Sequence, residues 1–183
     1  MKNLKNIKFI LLLLFVLNSC EKYETPSNGE NSFYCEINGI PYHPKSQESL
    51  LGDAKPLFVN YYDGIDYLKI NASDIDTKYY IVINLQYFEG EGDYYFQDHY
   101  EHDDPNINNY IKVSRSIVVN GQIETTTYIT YDDTTKSNLK IVEFNGSSIF
   151  KGEFNATLFN IDNEMETMEI INGRFDINTD TLE

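Results

Sequence analysis

The segment YYIVINLQYF, residues 79–88, places Tyr79, Ile81, Ile83 and Leu85 on one side of an extended chain, with polar residues opposite. IFKGEFNATLF, residues 149–159, does the same with Phe150, Phe154, Ala156 and Leu158. A period of two is that of a strand with one dry face, because successive side chains point to opposite sides of a pleated backbone. Between such runs the dipeptide Asn-Gly recurs at 38–39, 120–121, 145–146 and 172–173. Asn and Gly tolerate the left-handed backbone of a type I′ turn, the two-residue turn that joins hairpin strands. SRSIVVNGQIETTTYITYDD therefore predicts an antiparallel hairpin over about residues 111–131, and a second hairpin should join 141–144 to 149–159. No segment carries an amphipathic helical pattern of ordinary length, and residues 46–51 make at most a short turn.

About ten short strands with regular turn signals predict an all-β fold, either an antiparallel β-sandwich or a partly closed β-barrel, between which periodicity does not choose. The 15 Tyr and 11 Phe support this, since flat rings suit pleated surfaces better than helices.

The first residues follow a different logic. Lys2, Lys5 and Lys8 precede an apolar run from Phe9 to Leu17, the charged and apolar regions of a secretory signal peptide. The run is less than half of the roughly 20 residues that a spanning helix needs. Leu17-Asn18-Ser19-Cys20 resembles the lipobox of bacterial lipoproteins, cut before a cysteine whose sulfur carries diacylglycerol. On that resemblance residues 1–19 are a leader and Cys20 is the lipid-bearing N-terminus. A second acyl chain on its amine would make membrane attachment durable. Residues 20–32 are polar, with Pro26 and Gly29, and read as a flexible tether. Residues 33–183 then form a single domain, large enough to bury roughly 70% of its unfolded surface.

FYCEINGIPYHP (33–44), INLQYFEGEGDYYF (83–96), GSSIFKGEFNATLFN (146–160) and METMEIINGRFDI (165–177) together resemble recurring segments of an uncharacterised group of Bacteroidota lipoproteins. Shared features are an early strand ending in N-G, a central G-x-Y strand, a late G-x-F pair and a closing I-x-N-G-x-F strand. The resemblance implies an exported all-β lipoprotein of the cell envelope, expected in the outer membrane, with its periplasmic or surface face undecided. It brings no catalytic residue. Members of that group often carry Trp in the early aromatic stretch, where this chain has Tyr42. Charged residues straight after Cys20 also resemble a surface-export signal, although Tyr23 interrupts the run.

With the leader's three lysines gone, 11 basic and 29 acidic side chains remain, a net charge of −18. Such a chain repels nucleic-acid phosphates, which sets nucleic-acid binding aside. Once Cys20 carries lipid, Cys35 has no disulfide partner and reads as a buried core residue of the first strand. The densest polar cluster is FQDHYEHDDPNINNY, residues 96–110. His99, His102, Asp103 and Asp104 there offer nitrogen and oxygen ligands for zinc or calcium if the stretch is a loop or a helical turn. On a strand the two imidazoles would point to opposite faces. The calcium-loop spacing that starts at Asp104 fails at Asn109 and Arg115, where a glycine and a glutamate belong. A solvated, charge-guarded loop at a sheet edge accounts for the same residues.

Tyr61-Tyr62, Tyr79-Tyr80 and Tyr94-Tyr95 are adjacent pairs, so one ring of each should point inward and one outward. The outward rings, Tyr62, Tyr80 and Tyr95, are candidates for a face that meets a glycan or an envelope protein. The expected function is a lipid-anchored envelope protein whose non-enzymatic β domain binds a ligand or partner. A secreted hydrolase with an acidic site and a metal-binding envelope protein are the alternatives.

Overall fold

The computed structural model describes residues 31–45, 55–62, 64, 66–96, 109–131 and 137–182. These residues form eleven strands and no α-helix. In chain order they are β1 (Ser32–Ile37), β2 (Ile40–Tyr42), β3 (Leu57–Tyr62), β4 (Tyr67–Ser73), β5 (Tyr79–Gln86) and β6 (Gly92–Tyr95). β7 (Tyr110–Val119), β8 (Gln122–Thr130), β9 (Asn138–Phe144), β10 (Ile149–Asn160) and β11 (Asn163–Asn178) follow. All belong to one antiparallel sheet, ordered β2-β1-β11-β10-β8-β7-β5-β4-β3, which does not close into a barrel.

The two hairpins expected from the sequence are present. β7 and β8 pair in register across Asn120 and Gly121, whose φ angles of 52° and 79° are those of a type I′ turn. β9 pairs with β10 across residues 145–148, a four-residue loop rather than a two-residue turn. There the Asn145 Oδ1 accepts the amide hydrogens of Ser147, Ser148 and Ile149. Asn172-Gly173, by contrast, makes no turn. It lies inside β11, where the register shifts against both neighbours and Asn172 takes a φ of 55°. This is a β-bulge, held on one side by the Asn172 amide donating to Asn155 Oδ1 and on the other by Asn172 Nδ2 donating to Glu36.

β10 organises the sheet. One edge lies against β11, while the other pairs with β9 over residues 150–155 and with β8 over residues 158–160. Because β9 also carries β6, the sheet forks into a short branch, β9-β6, and a long arm, β8-β7-β5-β4-β3. The arm folds back over the branch. Tyr61 of β3 packs edge-on against Phe144 of β9 at 5.4 Å and Phe150 of β10 at 5.3 Å between ring centroids. Where the chain leaves β2, Lys45 bridges Asp74 in a parallel sense, its amide donating to the Ser73 carbonyl.

Most of the core lies between the folded layers and unites Cys35, Tyr42, Leu68, Ile83, Phe150 and Phe175 with their neighbours. A smaller cluster of Val82, Tyr110 and Ile129 lies on the opposite face of the long arm. That second cluster explains why β5 is buried over residues 81–85 on both faces rather than alternately.

Candidate functional site

Cys20, His99, His102, Asp103 and Asp104 lie outside the described residues. Among the described residues, no group of three or more His, Cys, Asp or Glu side chains is placed to hold a metal ion. Cys35 is wholly buried, and desolvation, followed by the charge of Glu36, pushes its thiol far above the ordinary range. His43 lies over the ring of Tyr34, on the opposite face of β1 from Cys35. Tyr42 is buried edge-on against Phe33, so it packs the core instead of presenting a platform.

The adjacent tyrosines divide between the faces as strand alternation requires. Tyr61 and Tyr79 pack inward, Tyr79 beneath the guanidinium of Arg115, while Tyr62 and Tyr80 are 54% and 41% exposed. Tyr94 packs parallel to Phe88 and leaves Tyr95 52% exposed. Tyr62 and Tyr80 share the outer face of the long arm, at opposite ends of β4, through the register pairs Tyr62↔Tyr67 and Ser73↔Tyr80. Tyr95 is on β6, in the short branch.

The outer face of β3, β4 and β5 carries an open depression of about 260 Å³. Lys55 and Pro56, just before β3, line it together with one side of three strands: Phe58 and Asn60 from β3, Lys69, Asn71 and Ser73 from β4, and Tyr80 from β5. Strand parity puts them together, since Phe58 pairs with Asn71, Asn60 with Lys69, and Ser73 with Tyr80. The wall is held in place by its own hydrogen bonds. Tyr80 Oη donates to Asn71 Oδ1 at 2.7 Å, and Asn71 Nδ2 donates to the Phe58 carbonyl at 3.4 Å. Both ends of the amide are thereby fixed, and with them the phenol. Burial raises the Tyr80 pKa, keeping the phenol neutral and able to donate.

Lys112 of β7 stands beside this depression. It pairs with Val82 of β5, while Lys69 pairs with Asn84, so the two lysines flank β5 on the same face. Burial lowers the Lys112 pKa, and the charge of Lys69 lowers it further.

A second polar cluster lies where β8 meets β10 and β11. Glu166 accepts hydrogen bonds from the Tyr128 hydroxyl and from Asn160 Nδ2. These bonds depress the Glu166 pKa. The bond to Glu166 also pushes Tyr128 up to about 12, with burial adding to the shift. A phenol donating to a surface carboxylate ties the β8 backbone to β11, which is a structural task.

Reading the sequence for charged clusters draws attention to residues 96–110 and away from Lys69 and Lys112. The available signal is a deficit. The five strands of the long arm contain one acidic residue, Glu124, whereas the other six strands contain eight. Within YLKINAS the alternate positions Tyr67, Lys69, Asn71 and Ser73 already spell an uncharged-to-basic polar face. No protein-family model, curated protein or solved structure matches this chain.

Proposed function

We propose that this protein is a lipid-anchored component of a bacterial cell envelope whose β domain recognises a ligand through the outer face of β3, β4 and β5. The anchoring half rests on the lysines and apolar run before Leu17-Asn18-Ser19-Cys20. The recognition half is carried by one observation: the 260 Å³ depression is walled by a phenol and an amide locked to each other. Polar groups fixed before a ligand arrives bind it at a smaller entropic cost, which is what a recognition surface needs. Amides, a hydroxyl, aromatic faces and lysines hold a ligand by hydrogen bonds, stacking and charge, so the domain is read as a binder and not a catalyst.

Two measurements test this reading. Cells expressing the full chain are labelled with palmitate and fractionated, and the mature protein is weighed intact. Label on a membrane-bound species that begins at Cys20, and its loss in Cys20→Ala, is expected; a soluble, unlabelled product removes the anchor. Thermal unfolding is then followed with glycans, calcium, zinc and EDTA. A ligand at 100 times its Kd adds about 2.7 kcal/mol, a rise of roughly 5–10 °C for a domain of this size. A shift with a glycan that Tyr80→Ala abolishes supports the face. Turnover of a glycan panel by the wild-type protein would overturn it in favour of a hydrolase.

A further inference from the structure

The long arm is electrically unlike the rest of the molecule. The chain carries 29 acidic side chains, yet the outer-face positions of β3, β4, β5, β7 and residues 125–129 of β8 include none. The same face carries Lys69 and Lys112, and Lys55 joins Lys69 in the wall of the depression. Strand spacing and rise put the Cα atoms of Lys69 and Lys112 about 12 Å apart, within reach of one extended ligand. The two ammonium groups face each other across β5 and repel: burial, and after it the charge of Lys69, lowers the Lys112 pKa in the free protein. An anion placed between them removes that repulsion.

On this basis, and resting on the reading of that face as a recognition surface, we propose that its ligand is an acidic saccharide, a chain carrying carboxylates or sulfates among many hydroxyls. The lysines supply complementary charge. The amide of Asn60 can donate to and accept from sugar hydroxyls, and the Ser73 hydroxyl, which donates to the Pro56 carbonyl, can accept from them. The exposed rings of Phe58 and Tyr80 offer apolar surface to the flat sides of sugar rings. The rest of the molecule narrows the choice. With a net charge of −18 after loss of the leader, the domain repels densely charged surfaces at long range. A nucleic acid or an anionic bilayer meets that repulsion in full, whereas a ligand with charges spaced between hydroxyls meets it weakly and reaches the lysines.

The test is calorimetric titration of the mature full-length protein in detergent with four probes: hexagalacturonate, a sulfated heparin hexasaccharide, neutral maltohexaose and phosphatidylglycerol vesicles. At least one acidic hexasaccharide should bind at least ten-fold more tightly than maltohexaose, and raised salt should weaken it. Lys69→Gln/Lys112→Gln should lose ten-fold or more while unfolding at the wild-type temperature, and Lys140→Gln, on β9, should bind as the wild type does. Which hexasaccharide binds separates carboxylate from sulfate recognition. Binding of neither acidic hexasaccharide, binding unaffected by the double substitution, or binding of the vesicles alone would overturn the proposal. Maltohexaose bound equally well, and lost in Tyr80→Ala but not in the lysine variant, would remove the acidic ligand and leave the recognition face standing.

Discussion

Gly152 lies opposite Phe175, and Phe154 opposite Gly173, in two register pairs of β10 and β11 separated by the pair Glu153↔Arg174. The two G-x-F motifs, Gly152-Glu153-Phe154 and Gly173-Arg174-Phe175, are thus two halves of one arrangement in which each ring lies over the other strand's glycine. A Cβ at 152 would come within 2.4 Å of the Phe175 ring, and one at 173 within 2.5 Å of the Phe154 carbonyl oxygen. Both rings are buried, so neither can turn aside without disturbing its neighbours. Gly152→Ala and Gly173→Ala should each cost about 1–3 kcal/mol through overpacking. Urea unfolding measures this, and a loss below about 0.5 kcal/mol at both sites would show that the rings move aside.

At the scale of the element, turns are fixed by side chains as much as by backbone preference. Asn145 holds the β9–β10 loop by accepting three successive amide hydrogens, at 3.1, 2.9 and 2.9 Å. Asn145→Ala should lower stability by about 1 kcal/mol, because those donors fall back on water and the loop loses its organising acceptor. Asn145→Asp should retain most of it, since a carboxylate accepts the same bonds. Equal losses in the two variants by urea unfolding would mean that the acceptor is not what holds the loop. The four Asn-Gly dipeptides of the β domain also show the limit of local reading. At 38–39 and 120–121 both residues have positive φ and join hairpin strands, but at 172–173 the same pair makes a bulge in the longest strand. The dipeptide states what the backbone tolerates, and the partners on either side decide the use made of it.

For the molecule as a whole, the many phenols make stability sensitive to alkali. Burial raises Tyr42, Tyr67, Tyr80 and Tyr94, and hydrogen bonding to Glu166 raises Tyr128 to about 12. A folded pKa above the unfolded value of 10 means that the native state holds its protons longer. That stability is fully present below pH 10 and is lost as pH rises through the folded values. Denaturation midpoints should therefore fall steeply above pH 10, with Tyr128→Phe removing the part that ends near 12. Glu166 acts with the opposite sign: its depressed pKa gives a contribution present above 4.5 and lost as pH falls. A midpoint flat from pH 9 to 12 would contradict the burial of these groups.

The sequence by itself determined the strands, two hairpins and the all-β class, because period-two alternation and turn preference act over a few residues, but not that β5 would be buried on both faces. It also carried the division of the paired tyrosines between faces, and the short motif on which the proposal of a lipid-bearing Cys20 rests, for the same reason of short range. It did not determine that β10 would serve two partners, that the long arm would fold over the short branch, or that Phe58, Lys69, Asn71 and Tyr80 would wall one depression. Those depend on register between strands distant in the chain, where a shift of one residue exchanges every side chain between faces. Only the tertiary structure set that register, through rings such as Tyr61, Phe144 and Phe150 that must share one core.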